Sequence, residues 1–412
     1  MDAREKAGWI VVSGGILINL MLGVTYAWSV FAGPLADQYK WTQTEVQLAF
    51  SVMLAFFALS MIPAGMLQDR KGPRIVALAG GALLGLGFIA TGLFANSPLV
   101  LYVTYGILAG TGVGLAYCTP IASGVKWFEK KRGLVSGIIV FGFGFGSLLL
   151  APLAKEFIVS YGIQNTFLML GVIFAFVVGA GALLLKNPPG QKSTASSNEK
   201  KEAGGREILS TRQFWMLWLM FAFSAAAGLM VIGNLATFAK LSFTTVHGME
   251  KEAAFSLAAL AVGVLGVFNG AGRILAGWLS DRIGRTKTML AFFGLQAALL
   301  ATLVLASGFS PLALFVWMAL IGLCFGSNFS LFPSATADFF GTKNMGVNYG
   351  LMFTAYGFGG ILGPQIMAYV LDSAKAAKGS LAVGDYFLPF LLLAVLVGMA
   401  ALISLFTKVE QR

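Results

Sequence analysis

Residues 267–285 read VFNGAGRILAGWLSDRIGR, an apolar run that carries one arginine, Arg273, and ends in a charged, glycine-marked turn. A second turn of the same kind, GMLQDRKGPR, occupies residues 65–74. Both follow G-x-L-x-D-R-x-G, and the next arginine aligns as Arg74 or Arg285 once Pro73 is counted as one extra residue. The loops KWFEKKRG (126–133) and DFFGTKNMG (338–346) also fall in matching places, each after a fourth apolar segment. One copy alone is a short basic turn, whereas two copies half a chain apart describe a duplicated architecture. Parallel six-helix repeats are the build of carriers that rock about a midplane site.

The rest of the chain supports that reading. Of its 412 residues, 58% are hydrophobic and 11% charged, with mean hydropathy +0.82, against about 25% charged in ordinary soluble domains. About 20 apolar residues suffice to cross a ~30 Å hydrocarbon core as a helix. Twelve such segments are expected near 8–33, 44–66, 75–95, 98–120, 133–154, 164–185, 213–239, 253–278, 288–308, 310–333, 346–371 and 386–407. The fold class is therefore an all-α polytopic membrane protein with two pseudo-symmetric bundles. Residues 1–186 form the first bundle, 187–212 a cytoplasmic linker rich in Pro, Gly, Ser, Lys and Glu, and 213–412 the second bundle.

The net charge of +11 reflects topology rather than a nucleic-acid partner. With the N-terminus inside, 21 of the 28 Lys and Arg residues lie in cytoplasmic segments and 6 in outer loops, Arg273 being the remaining one. That bias places both termini in the cytoplasm of a cell whose inner membrane holds the chain. The opening MDAREKAG carries acidic residues and no small-residue cleavage site follows a short apolar core, so the first helix is expected to be retained. Cys118 and Cys324 fall in separate apolar segments, and the single histidine, His247, lies in an outer loop. No disulfide framework, metal cluster or catalytic triad is expected, and with no GxxxxGK[ST] sequence an ATP-driven pump is disfavoured. No cofactor is expected, and the chain is expected to act as a monomer.

Arg273 needs a reason to be where it is. It precedes Asp281 by 8 residues, about 12 Å along a helix, so it lies inside the membrane on the cytoplasmic side of the midplane. An arginine there costs roughly 2.5–3.5 kcal/mol on insertion scales and usually serves function. No Asp or Glu falls mid-membrane by this map. Asn269, four residues earlier, shares a helix face with it. A guanidinium with an amide beside it can hold a carboxylate bidentately and leave a donor for a second substrate group. Tyr26 and Trp28, Tyr117, Phe325, Asn328, Phe329, Phe353 and Tyr356 occur at comparable depth on other segments. Aromatic walls with polar tips suit a small carboxylate. Paired glycines in FGFGFGSLLLAP (141–152) and YGFGGILGP (356–364) are read as close helix contacts.

The two turns resemble the signature loops of the major facilitator superfamily. That resemblance implies rocking bundles, with Asp69, Arg70, Arg74, Asp281, Arg282 and Arg285 as gating residues. GVTYAWSVF (23–31), AYCTPIASGVKWFEKKRGLVSG (116–137), NGAGRILAGWLSDRIGR (269–285) and SLFPSATADFFGTKNMGVNYG (330–350) are similar, more narrowly, to the oxalate/formate antiporter family and its bacterial monocarboxylate members. The resemblance implies that Arg273 is the substrate-binding arginine and Tyr117 a cavity tyrosine. Phe325 and Phe329 stand where the oxalate carrier has a tryptophan and a tyrosine. Where that carrier has a second cation, a lysine, this chain has Tyr356, which points to a monoanion. Where animal proton-linked monocarboxylate transporters carry an Asp, this chain has Asn269, so the familiar Asp/Arg relay is incomplete.

The expected function is proton-coupled transport of a small monocarboxylate such as L-lactate or pyruvate, with anion exchange as the alternative and drug transport as a weaker one. A membrane sensor lacks an appended soluble domain here, and an intramembrane enzyme lacks paired carboxylates. The expected partners are a small carboxylate, protons and the lipid bilayer, with no nucleic acid.

Overall fold

The computed structural model describes residues 3–41, 43–189 and 205–407; the linker residues 190–204 lie outside it. Every regular element among the described residues is helical. α1 (Ala3–Leu22) runs through a 3₁₀ stretch, Gly23–Ala27, into α2 (Trp28–Tyr39). Next come α3 (Gln43–Lys71), α4 (Pro73–Phe94) and the short α5 (Pro98–Leu101), which passes through a π-helical stretch, Tyr102–Ala109, into α6 (Gly110–Trp127). α7 (Arg132–Leu184) is two helices joined at Gly162, and α8 (Arg206–Leu209) is one turn. The remainder is α9 (Arg212–Thr245), α10 (Lys251–Ile283), α11 (Arg285–Phe309), α12 (Pro311–Phe340), α13 (Met345–Lys378) and α14 (Phe387–Phe406).

Among the described residues ten helices are long and apolar enough to cross a membrane. One of them, Glu129–Leu184, is bent at Gly162 and supplies two crossings, and α13 takes the place of the eleventh expected span. The twelve-span fold follows. The helices overrun the expected segments at many ends because hydropathy marks the oil-immersed portion alone, while backbone hydrogen bonding continues through the polar flanks, as in α3 to Lys71.

The repeated D-R-x-G turns have one backbone cause. Gly72 and Gly284 take φ of 86° and 94°, a left-handed region that residues with a Cβ avoid. Each breaks the chain between two long helices with a single residue. Pro73 then opens α4, where its missing N–H is no loss. Gly162, at φ 77°, makes the bend in α7 in the same way.

The chain forms two compact units, residues 1–211 with 333–354, and residues 212–332 with 355–412. In the first, Gly142 and Gly146 of α7 bear on the backbone of α1 at Ile16 and Leu20. In the second, Gly359 and Gly363 of α13 bear on Ala222 and Ala226 of α9. In the second unit α10 and α12 also approach closely. A Cβ on Gly326 would stand 2.0 Å from the Asn269 carbonyl oxygen, and one on Gly272 would stand 2.0 Å from that of Leu323. Gly322 meets the Leu265 carbonyl in the same way. This is a small-xxx-small contact between backbones, which cannot yield as a flexible side chain can. Gly326→Ala is expected to lower stability by about 1–3 kcal/mol, read as a fall in the thermal midpoint of the purified protein. An unchanged midpoint would show that the two helices separate freely.

Candidate functional site

The glycine contact brings the polar face of α10 against the aromatic face of α12. Arg273 is 0% exposed and Asn269 1%. The guanidinium donates from Nε and Nη2 to Asn269 Oδ1, at 3.2 and 2.9 Å, one helical turn back. Its carbon lies 4.4 Å from the centroid of the Phe329 ring. Both of these groups are neutral, and the cation–π contact contributes about 0.5–2 kcal/mol. Because Oδ1 is turned to the arginine, the amide nitrogen is turned away. Asn269 Nδ2 is buried with no hydrogen-bond partner among the described residues.

Aromatic rings continue outward from Phe329. Phe325 meets it edge-on at 5.4 Å and Tyr356 of α13 at 5.6 Å. All three are buried. Phe325 finds room because α9 has Gly228 there: a Cβ would stand 2.1 Å from the Phe325 ring. Phe221 of α9, which the sequence did not single out, stacks on Phe332 at 4.3 Å and lies 6.3 Å from Tyr356. Asn328 turns elsewhere. Its Nδ2 donates to Ser224 Oγ at 2.9 Å, and that hydroxyl donates to Gln296 Oε1 at 2.8 Å, tying α12, α9 and α11 together. Gln296, a lone amide within an apolar helix, was the available signal for this network.

The first unit gathers the other expected residues. Tyr117 packs edge-on against Phe57 (5.2 Å) and Phe143 (5.6 Å), and lies 5.4 Å from Phe353. Tyr26, which sits in the 3₁₀ stretch, meets Phe143 at 4.9 Å. Phe143 therefore joins Tyr26 to Tyr117; neither it nor Phe57 stands out in the sequence, since both are ordinary apolar residues there. Trp28 belongs to a different cluster, stacked on Tyr105 at 4.3 Å.

The two signature turns, alike in sequence, bond differently. Asp69 accepts from the backbone N–H groups of Gly346 and Val347, at 3.2 and 3.0 Å. It thus caps the first turn of α13, where the helix dipole favours negative charge. Lys126 Nζ lies 3.5 Å from the same carboxylate. Gly65 and Gly346 pass so closely that neither could carry a side chain, and Arg132 pairs with Asp338 at 2.8 Å. Arg74 donates to the Leu183 carbonyl. In the other copy Asp281 pairs with its own Arg285 at 2.6 Å, while Arg282 lies over the Trp278 ring at 4.0 Å. Arg70 is exposed. Asp69→Asn removes the charge and one of the two acceptor oxygens, and we expect a loss of about 1–3 kcal/mol, seen as a lower unfolding midpoint. A midpoint equal to that of the unsubstituted protein would reduce the cap to a surface contact.

Long apolar helices in number enough for twelve spans, with Arg273 wholly buried within one of them, define a polytopic membrane protein. Residues 14–364 match the Major Facilitator Superfamily, and the chain belongs to that family. It is a secondary transporter and a multi-pass membrane protein, not an enzyme. The oxalate:formate antiporter of Oxalobacter formigenes is 32% identical over 365 residues, covering 87% of this chain and 84% of that one. Apicoplast pyruvate carrier 1 of Toxoplasma gondii is 25% identical over 452 residues, covering 85% and 81%. Among solved structures, the transporter FucP superposes with a TM-score of 0.71 at 19% identity, covering 98% of this chain and 99% of its own; that likeness concerns the fold alone.

Proposed function

We propose that this protein transports small monocarboxylates such as L-lactate or pyruvate, coupled to protons, by alternating access of two bundles. The observation that carries the reading is Arg273: a wholly buried guanidinium held by the Asn269 amide oxygen and set against the Phe329 ring. An arginine within a membrane span is costly and usually serves function. A carboxylate on the guanidinium, with a further oxygen accepting from Asn269 Nδ2, makes use of the donor that has no partner. Phe325, Phe329 and Tyr356 then screen the complex from water. The replacement of a second cation by Tyr356 supports one negative charge on the substrate rather than two.

Tyr26 and Tyr117 of the first half and Phe353 of α13 are read as further substrate contacts, and Asn328 as a residue that fixes α12. Asp69, Arg70, Arg74, Asp281, Arg282 and Arg285 are read as gating residues, with the Asp69 cap on α13 as the contact that must break and re-form. The basic bias of alternate loops supports a cytoplasmic location for both termini, in an inner membrane.

The test is uptake of labelled L-lactate into proteoliposomes with and without an inward proton gradient, together with external pH. Acceleration by the gradient and alkalinisation of the medium are expected. Uptake indifferent to the gradient, but dependent on a carboxylate loaded inside, would replace symport by anion exchange.

A further inference from the structure

A cavity of about 340 Å³, remote in sequence from Arg273, opens among Arg4, Glu5, Trp127, Phe128, Glu129, Lys130 and Lys131. Three of these residues mark where spans end: Arg4 begins one membrane-crossing helix, Trp127 closes another and Glu129 opens a third. The cavity therefore lies at the level where a bilayer's headgroups meet the protein. Its inner wall is aromatic and fixed. The Trp127 indole donates to the Lys186 carbonyl at 2.8 Å, the Phe128 and Trp9 rings are 5.2 Å apart, and Gly8 leaves room for Phe128, whose ring would lie 2.7 Å from a Cβ there. Its remaining lining is charged: Arg4, Glu129, Lys130 and Lys131 are exposed and Glu5 is half-buried.

We propose that this cavity binds the headgroup of a membrane lipid that carries one net negative charge, the phosphodiester held by Arg4, Lys130 and Lys131 and the glycerol portion resting on Trp127 and Phe128. Three cations against two carboxylates leave the lining with one net positive charge, which matches one phosphodiester. Tryptophan is favoured at this level of a membrane, and basic residues at a leaflet surface contribute about 1 kcal/mol each to binding anionic lipid. Soluble glycerophosphoglycerol, a phosphodiester, offers the same charge without acyl chains beside the helices, so lipid and soluble ester are distinguishable.

The test is a titration of the purified full-length protein in neutral detergent, read by its thermal midpoint. The added probes are phosphatidylglycerol, phosphatidylethanolamine and soluble glycerophosphoglycerol. Phosphatidylglycerol is expected to raise the midpoint saturably and the other two to leave it unchanged. The variant Arg4→Gln/Lys130→Gln/Lys131→Gln is expected to bind on the order of a hundredfold more weakly, about fivefold per cation. Glu5→Gln/Glu129→Gln, which keeps the cations, is expected to bind more tightly and serves as the test should the first variant fail to fold. An equal response to phosphatidylethanolamine, an equal response to glycerophosphoglycerol, or an unchanged affinity in either variant would overturn the assignment.

Discussion

Arg273→Lys is expected to lower saturable uptake of labelled L-lactate by about two orders of magnitude, with the protein still folded. Lysine keeps the charge but loses the planar fork that donates to Asn269 and faces Phe329. A point charge on a flexible stem cannot hold a carboxylate bidentately while also ordering the amide. Loss of one or two charge-assisted hydrogen bonds, roughly 1.5–3 kcal/mol each, corresponds to a tenfold to hundredfold loss or more. The measurement is initial-rate uptake in proteoliposomes, normalised to reconstituted protein. Uptake kept within twofold by the lysine variant would mean that charge alone suffices. Full uptake by Arg273→Ala would remove the carboxylate from the account and favour the drug-carrier reading.

Asn269→Asp is expected to have the second largest effect. It exchanges the neutral acceptor 2.9 Å from Arg273 for a carboxylate, and an ion pair then occupies the guanidinium before any substrate arrives. Near neutral pH uptake should fall at least about tenfold. The adjacent guanidinium keeps such a carboxylate ionised, so the loss is expected to persist on acidification. The check is a series of uptake measurements at fixed substrate from pH 8 to 5. A variant that follows the parent's pH profile at unreduced rate would show that Asn269 does not control the guanidinium. Asn269→Ala separates loss of the amide from gain of the charge: it is expected to weaken uptake less than Asn269→Asp does.

The fold was legible where composition and backbone chemistry point the same way. The D-R-x-G turns announce Gly72 and Gly284, and the structure turns the chain at both with positive φ. The apolar lengths locate the spans, although the chain's break between the fifth and sixth rests on Gly162 alone. Two irregular stretches left no periodic mark. The 3₁₀ segment at Gly23–Ala27 and the π segment at Tyr102–Ala109 lie within apolar runs that read as continuous helix, because the choice among helix types is made by packing against neighbours.

The site was partly legible for a related reason. Arg273 and Asn269 are conspicuous because polar groups in oil are costly, and their four-residue spacing predicts the contact the structure contains. Which aromatic ring covers the guanidinium was not decidable from spacing. It follows from Gly272, Gly322 and Gly326 drawing α12 onto α10. The two signature turns show the converse limit. Their identical Asp residues have different partners, Gly346 and Val347 for Asp69 but Arg285 for Asp281, since the segments packed beside them differ.

The most direct test of a monocarboxylate held by Arg273 is counterflow of labelled L-lactate in proteoliposomes, with unlabelled competitors and no ion gradient. Counterflow needs binding and passage but no coupling ion, so it isolates the substrate site from the proton question. The account predicts rapid exchange that is blocked by pyruvate, insensitive to oxalate at equal concentration, and lost in Arg273→Lys. Exchange blocked by oxalate as strongly as by pyruvate, or maintained in Arg273→Lys, would contradict it.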